Sequence, residues 1–424
     1  MSSAAERILV IGGGGREHAL SWRIKRDRPD CQLFVAPGNA GIAELATLVA
    51  LQACDVKGIV AWCHAQQPGL VVVGPDDSLA GGIVDALEDA GIRVFGPTAA
   101  AARIESSKAW ATEVAMAADV PVPESHVFDS ADEAEAFVSG AQQAFVVKAD
   151  GLALGKGVFV CGSVEETVAA IDRVARRRAF GVAGDRILLQ ERLIGAELSV
   201  FAICDGSTFR VIGAARDFKR IGDGDHGPNT GGMGAYTPVA DLTPELLTDI
   251  ETRIIGPTLA EMRRRGAPFT GFLYAGLMLT QAGPMVIEFN GRMGDPEAQV
   301  VLPLLRFDLV EAMKLAIDGG LAEFAPVEPD GAAVCVVLAS GGYPGRYSTG
   351  IAIEGLEEVG PDLLVSHAGT HRDGEHWLTA GGRVMGITGL GGTVAEARER
   401  AYAAVEQVRF EGAVWRSDIA ATAR

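Results

Sequence analysis

Met285-Val-Ile-Glu-Phe-Asn-Gly-Arg-Met-Gly-Asp-Pro-Glu297 is an apolar run that ends in Glu288 and Asn290, with Arg292 and Asp295 just beyond. Alternation along a strand places positions 288, 290 and 292 on one face and Phe289 on the other. A carboxylate, an amide oxygen and a guanidinium then share one small patch. Carboxylate and amide oxygens are hard ligands, suited to Mg²⁺ carrying nucleotide phosphates. A plain polar strand end would look the same, so the rest of the chain has to decide between the two.

Outward from this patch, residues 272–280, a Gly283 turn and residues 285–289 predict a hairpin that delivers it. Upstream, residues 144–148 form a strand ending in Lys148, followed by Ala149-Asp-Gly-Leu-Ala-Leu-Gly-Lys-Gly157 and a strand over 158–161. The G-x-x-x-x-G-K-[ST] pattern fails there, because position 157 is Gly. A glycine-rich hairpin loop containing Gly151, Gly155 and Gly157 can still fold over phosphates, with Lys148 and Lys156 neutralising their charge. Gln190, Glu191 and Leu193 follow a strand over 186–190, where backbone groups can meet an adenine edge; Glu197 can accept two ribose hydroxyls. A helix over 165–178, strands over 198–204 and 209–215, and a helix over 245–265 complete the region. Residues 219–236 read as one long polar glycine-rich loop. Such loops are functional or disordered, and the dense string Asn229-Thr-Gly-Gly-Met233 favours function.

The first ~100 residues alternate strand and helix. Strands over 8–11, 32–36, 70–73 and 93–95 each end in Gly or Pro loops, which predicts a parallel doubly wound sheet with ligands at the carboxyl ends of its strands. Gly12-Gly-Gly-Gly15 breaks the G-x-G-x-x-G register, since position 17 is Glu, and the second strand ends in Ala36-Pro37 with no acid for a ribose. Backbone N–H groups at that helix start still suit a phosphate. The tail carries strands near 332–339 and 383–388 and a helix over 394–408, a third α+β domain without an obvious catalytic cluster. The expected division is 1–104 (α/β), 105–320 and 321–424 (α+β).

At 424 residues the chain exceeds a single core, and 48% apolar with 22% charged residues describes an ordinary globular protein. A net charge of −18 argues against general nucleic-acid or anionic-membrane binding and leaves room for small anionic substrates held by local cations. Six scattered cysteines without a C-x-x-C pair read as reduced, buried thiols and fit a cytoplasmic setting. No charged-then-apolar leader and no apolar run long enough for a bilayer are expected.

Six strings together are similar to the glycinamide ribonucleotide synthetase (phosphoribosylamine–glycine ligase) family of the ATP-grasp superfamily: GGGGREHAL from 12, APGNAG from 36, VKADGLALGKG from 147, GPNTGGMGAYTP from 227, GFLYAGLM from 271 and EFNGRMGDPEAQVVLP from 288. Gly341-Gly-Tyr-Pro344, His367-Ala-Gly-Thr370 and Gly381-Gly-Arg383 extend the resemblance into the tail. It implies an ATP-grasp ligase that joins glycine to 5-phosphoribosylamine through an acyl phosphate, with ATP and Mg²⁺ or Mn²⁺, usually as a monomer. Alternatives are another ATP-grasp carboxylate–amine ligase or an inactive nucleotide-binding protein.

The resemblance also implies roles. Glu288 and Asn290 are metal ligands. Lys108 and Lys148 contact ATP phosphates under the loop containing Gly151, Gly155, Lys156 and Gly157. Gln190, Glu191, Leu193 and Glu197 surround adenine and ribose. Arg292, Asp217, Lys219 and Asp295 form the catalytic and substrate-contacting set. Gly14, Gly15, Arg16, Glu17, Gly38 and Asn39 take the phosphoribosylamine, together with Pro228, Asn229, Thr230, Gly231, Gly232 and Met233. Departures from the family pattern are Phe218 where His is usual, Gln190 where an acid is common, Gly291 and Met293 in place of bulkier apolar or aromatic residues, Ser106 for Gly and Asp76 for Glu.

Overall fold

The computed structural model describes residues 5–153, 156–325, 327, 329–360 and 362–423. The N-terminal region is a parallel sheet in the spatial order Thr47–Leu48, Gln32–Pro37, Arg7–Gly12, Leu70–Val73, Val94–Phe95. Its central strand shows why the run over 8–11 lacks polar residues. Ile8 and Val10 enter one core while Leu9 and Ile11 enter another, so both faces of the sheet are buried. Helix Gly15–Asp27 starts at the carboxyl end of that strand, as the doubly wound pattern requires.

A second sheet of four antiparallel strands, in the order Ser125–Phe128, Ile187–Glu191, Phe145–Ala149, Val158–Val160, forms a small lobe. Phe145, Val147, Ile187 and Leu189 pack under helices Ala131–Ala141 and Val164–Ile171. Facing it is an antiparallel sheet in the order Gly283–Asn290, Thr270–Thr280, Ala196–Asp205, Phe209–Asp217, Gly234–Thr237, Ala332–Ala339, Arg383–Gly391, Leu364–His367.

One sequence expectation changes here. Residues 219–236 are not one loop. Arg220–Gly222 pairs with His226–Asn229, and Gly234–Thr237 is a strand of the large sheet. That strand also joins the tail to the central region, because it pairs with Phe209–Asp217 on one side and Ala332–Ala339 on the other. The expected boundary near 320 is therefore bridged by a continuous sheet. A Cβ on Gly234 would meet the Cys335 carbonyl oxygen at 2.7 Å, so the close approach of these strands rests on a glycine that resembles loop composition.

Candidate active site

The small lobe and the large sheet enclose a cavity of about 860 Å³. That volume is in the range of small-molecule sites and is large enough for a nucleotide. The lobe contributes Lys148 and Lys156, while Lys108 comes from a helix packed on the large sheet. Lys148, on Phe145–Ala149, is 7% exposed and its Nζ donates to the Ile287 carbonyl at 2.7 Å. Burial lowers its pKa to about 8, against the pull of Glu288. Lys108 opens helix Lys108–Ala117, where Ser107 Oγ caps by accepting from Trp110 N at 3.1 Å. Its Nζ donates to the Gly151 carbonyl at 2.9 Å, and Asp150 accepts from Ala109 N at 3.1 Å, so this helix start is tied to the glycine loop. Gly151 is required small, since a Cβ would meet Ala183 Cβ at 2.5 Å. Gly157 and Lys156 line the cavity, and Gly155 lies outside the described residues. Gln190 is buried and donates to Ser125 Oγ at 2.9 Å, beside Glu191 and Leu193 at the cavity wall.

The large sheet contributes carboxylates. Glu288 and Asn290 end Gly283–Asn290 and both line the cavity. Lys219 Nζ lies 2.9 Å from Glu197 Oε2 and 3.3 Å from Glu288 Oε1. Lys219, with Lys148 and Lys108 behind it, overcomes desolvation and holds the Glu288 pKa down at about 2. For Lys219 burial opposes the charge, yet Asp217, Glu197 and Glu288 hold its pKa well above the usual lysine value. Burial pushes the Asp217 and Glu297 carboxyls up. Asp295 is half-buried, and against the desolvation that raises its carboxyl, Arg383, 3.0 Å away, and Arg16 hold it below the usual range.

Arg292 is not free. Its Nη2 sits 2.6 Å from Glu105 Oε1 and 3.3 Å from Asn290 Oδ1, while its Nε is buried without a partner among the described residues. Glu105 also accepts from Gly291 N at 2.8 Å. Gly291 is tight against Pro97, with a Cβ reaching 3.3 Å from its Cγ, and Met293 is a core residue.

At the N-terminal glycine loop, two of the polar side chains expected to meet substrate are satisfied within the protein. Glu17 is 2% exposed; it accepts from Gly14 N at 2.7 Å and from Arg16 Nε at 2.6 Å, so it caps its own helix. Asn39 donates to the Gly13 and His367 carbonyls at 2.9 and 2.8 Å and accepts from Ile42 N, which occupies its amide internally. Both shape backbone there. Gly13 packs on Gly38 so closely that a Cβ would meet the Gly38 carbonyl oxygen at 2.5 Å. A Cβ on Gly15 would likewise meet Gln299 Nε2 at 2.7 Å. Arg16 lines the cavity and donates to Met293 O at 3.3 Å. Of residues 228–233, Asn229, Thr230 and Gly231 reach the cavity wall; Thr230 accepts from Gly232 N at 3.0 Å, Met233 is wholly buried and Pro228 is exposed on the hairpin.

The sequence missed Glu105, Tyr274, Glu297 and two residues of the tail. Tyr343 accepts from Gly231 N at 3.0 Å, and Arg383 donates to the Asp295 carbonyl at 2.6 Å; both line the cavity. The tail therefore does reach the site. The strings around Tyr343 and Arg383 were its only signal.

A glycine loop with lysines over a carboxylate–amide strand end, held between two antiparallel lobes, defines an ATP-grasp domain. The ATP-grasp (A) domain of phosphoribosylglycinamide synthetase matches residues 106–298, the N domain 6–105 and the C domain 333–422. The phosphoribosylamine–glycine ligase of Rhodopirellula baltica is 46% identical over 97% of this chain and 96% of its own length. That of Streptomyces coelicolor is 46% identical over 98% and 99%. The crystal structure of the Thermotoga maritima phosphoribosylamine–glycine ligase superposes with a TM-score of 0.84 at 33% identity, over 97% of this chain and 100% of that one. A biotin carboxylase domain of Hydrogenobacter thermophilus 2-oxoglutarate carboxylase, in complex with MgADP, shares the fold at 15% identity and a TM-score of 0.75, over 97% and 91%. The chain belongs to the phosphoribosylglycinamide synthetase family.

Proposed function

We propose that this chain is an ATP-dependent carbon–nitrogen ligase that joins glycine to 5-phospho-D-ribosylamine, giving glycinamide ribonucleotide, ADP and phosphate in the second step of de novo purine biosynthesis. The observation that carries this reading is the convergence, on one cavity, of Lys108, Lys148 and Lys156 with Glu288, Asn290 and Lys219.

The donor chemistry fits a hard divalent cation. Glu288, ionised down to pH about 2, and the Asn290 amide oxygen, oriented by Arg292 Nη2, offer oxygen ligands only. Among the described residues no group of three or more His, Cys, Asp or Glu forms a metal cage. Mg²⁺ binds through one or two carboxylates and shares substrate phosphates, so a sparse site suits it, or Mn²⁺. Bound there, the ion would neutralise phosphate charge.

Phosphoryl transfer needs positioning and charge neutralisation more than covalent help. Lys108 and Lys148 bind the ATP phosphates, and Gly151, Gly155, Lys156 and Gly157 cover them. Gln190, Glu191 and Leu193 hold adenine, and Glu197 the ribose. The glycine carboxylate attacks the γ-phosphate, releasing ADP and forming glycyl phosphate. The ribosylamine nitrogen then attacks the glycyl carbonyl and displaces phosphate, losing its proton. Arg292 stabilises charge on the transferring phosphoryl group, while Asp217, Lys219 and Asp295 orient glycine and the amine. Gly14, Gly15, Arg16 and Gly38 receive the phosphoribosyl end, shaped by Glu17 and Asn39 and bordered by residues 228–233. Residues 1–104 supply that end, 105–320 the nucleotide and metal, and 321–424 the closing wall. The protein works as a cytoplasmic monomer with small-molecule partners and neither nucleic acid nor membrane; no helix among the described residues is long and apolar enough to cross a bilayer. Mass spectrometry of the product tests this reading. Glycinamide ribonucleotide formed from ¹⁵N-glycine supports it, and ADP formation with no such product refutes it.

A further inference from the structure

Among the described residues, the largest fully buried side chain belongs to a cation outside the cavity, Arg416, at 1% exposure. Its guanidinium is fully engaged. Nε and Nη2 donate to Asp418 Oδ1 and Oδ2, each at 2.7 Å; Nη1 donates to Asp225 Oδ1 at 2.6 Å and to the Arg220 carbonyl at 3.2 Å. Its carbon centre lies 4.8 Å from the centroid of the Phe218 ring. The neighbours of Arg416 add to the same contact. Ser417 N donates to Asp223 Oδ1 at 2.8 Å, and Gly224 N donates to Asp418 Oδ2 at 2.8 Å.

Residues 416–418 are thereby fastened to residues 218–225, which flank Lys219. The backbone around Lys219 is pinned as well. Phe218 N donates to Gly234 O at 2.9 Å, and Thr230 N donates to Lys219 O at 2.7 Å. Successive side chains of an extended segment point to opposite faces. Phe218 accordingly meets Arg416 while Lys219 reaches Glu197 and Glu288. A planar guanidinium that both stacks and pairs bidentately fixes its partners in orientation as well as distance.

We propose that Arg416 is a positioning residue for the ligase reaction: it clamps residues 218–225 from behind, through Phe218, Asp225 and Asp418, and so fixes the Lys219 ammonium against Glu197 and Glu288. The proposal rests on the roles of Lys219 and Glu288 proposed above. It also gives the Phe218 departure a physical reason, since an aromatic face under a buried guanidinium replaces the usual imidazole.

A double-mutant cycle on the full-length enzyme tests it, with R416M, K219M and the double variant measured for kcat, for the KM of each substrate, and for folding by urea denaturation. R416M is expected to lower kcat about 10–100-fold, the scale of a small misplacement at a reacting centre, with the KM for ATP changed less than about threefold. The double variant is expected to be no more than about twofold slower than K219M, because the clamp acts through Lys219. Losses that multiply in the double variant, or a folded R416M with wild-type kcat, overturn the clamp alone. Wild-type kcat in K219M overturns the role of Lys219 and the clamp with it. Should R416M not fold, F218L and R416K enter the same cycle. R416K keeps charge but neither fork nor stack, and is expected to fold and to lose kcat on the scale set out above for R416M; wild-type kcat in both folded variants overturns the clamp.

Discussion

Arg292 Nη2 lies 2.6 Å from Glu105 Oε1, which couples the helix Ala99–Ser106 to the strand end that bears Glu288 and Asn290. Burial pushes the Glu105 carboxyl up, but the guanidinium and the Gly291 amide pull the other way. The ion pair therefore fixes Arg292 beside Asn290 at the cost of burying two charges. Removing one partner leaves the other unpaired, a loss of about 3–5 kcal/mol, whereas replacing both with apolar groups is close to neutral. Glu105→Leu should lower the urea midpoint strongly, and the Glu105→Leu/Arg292→Met double variant should recover most of it while remaining inactive. Equal destabilisation of single and double variants would show that the pair is not the coupling.

Glu288→Gln should lose mainly turnover, on the order of 10²–10³-fold as for removal of one preorganised charge partner, and should require more Mg²⁺ for half-maximal rate. Steady-state kinetics across a Mg²⁺ series provide the check. Wild-type turnover in this variant would remove the metal assignment.

Lys148 gives a pH signature. Burial lowers its pKa from 10.5 to about 8, against Glu288 and with Lys108 and Lys219 nearby. Above pH 8 the free enzyme loses this cation, so ATP affinity should fall as pH rises from 8 to 10. Lys148→Arg stays charged throughout and should flatten that profile. A wild-type affinity independent of pH over this window would contradict the phosphate contact.

The tail offers a different titration. His367 N donates to His18 Nδ1 at 3.1 Å, and the rings stack with centroids 5.6 Å apart. Burial lowers His18 to about 3 and His367 to about 4 from 6.5. Below pH 6.5 the unfolded chain therefore takes up protons that the folded chain refuses, and stability falls as pH drops toward 4, by up to about 1.4 kcal/mol per unit for each histidine. His18→Asn/His367→Asn should shift the denaturation midpoint less between pH 7 and 4.5 than the wild type. An identical pH slope would contradict the account.

Much of this site was legible in the sequence because its signals are local. Ile8–Ile11 lacks polar residues because both sheet faces are buried. Glu288 and Asn290 share a face by period two, and the lysines bracket a glycine loop. What was missed is long-range or internal. Glu105 meets Gly291 across 186 positions, so no spacing announces it. Glu17 and Asn39 look like ligand-facing polar residues, but they satisfy backbone groups that a tight glycine turn would otherwise leave unpaired. Residues 219–236 read as a loop because Gly234 and its neighbours are small where strands approach closely, a packing demand that composition renders as loop.

Phosphate release from ATP, followed with glycine, 5-phosphoribosylamine and Mg²⁺ each omitted in turn, tests the central claim most directly. Release that requires all three together is the predicted result. No release with all three present, or release that is indifferent to glycine and the ribosylamine, would contradict it.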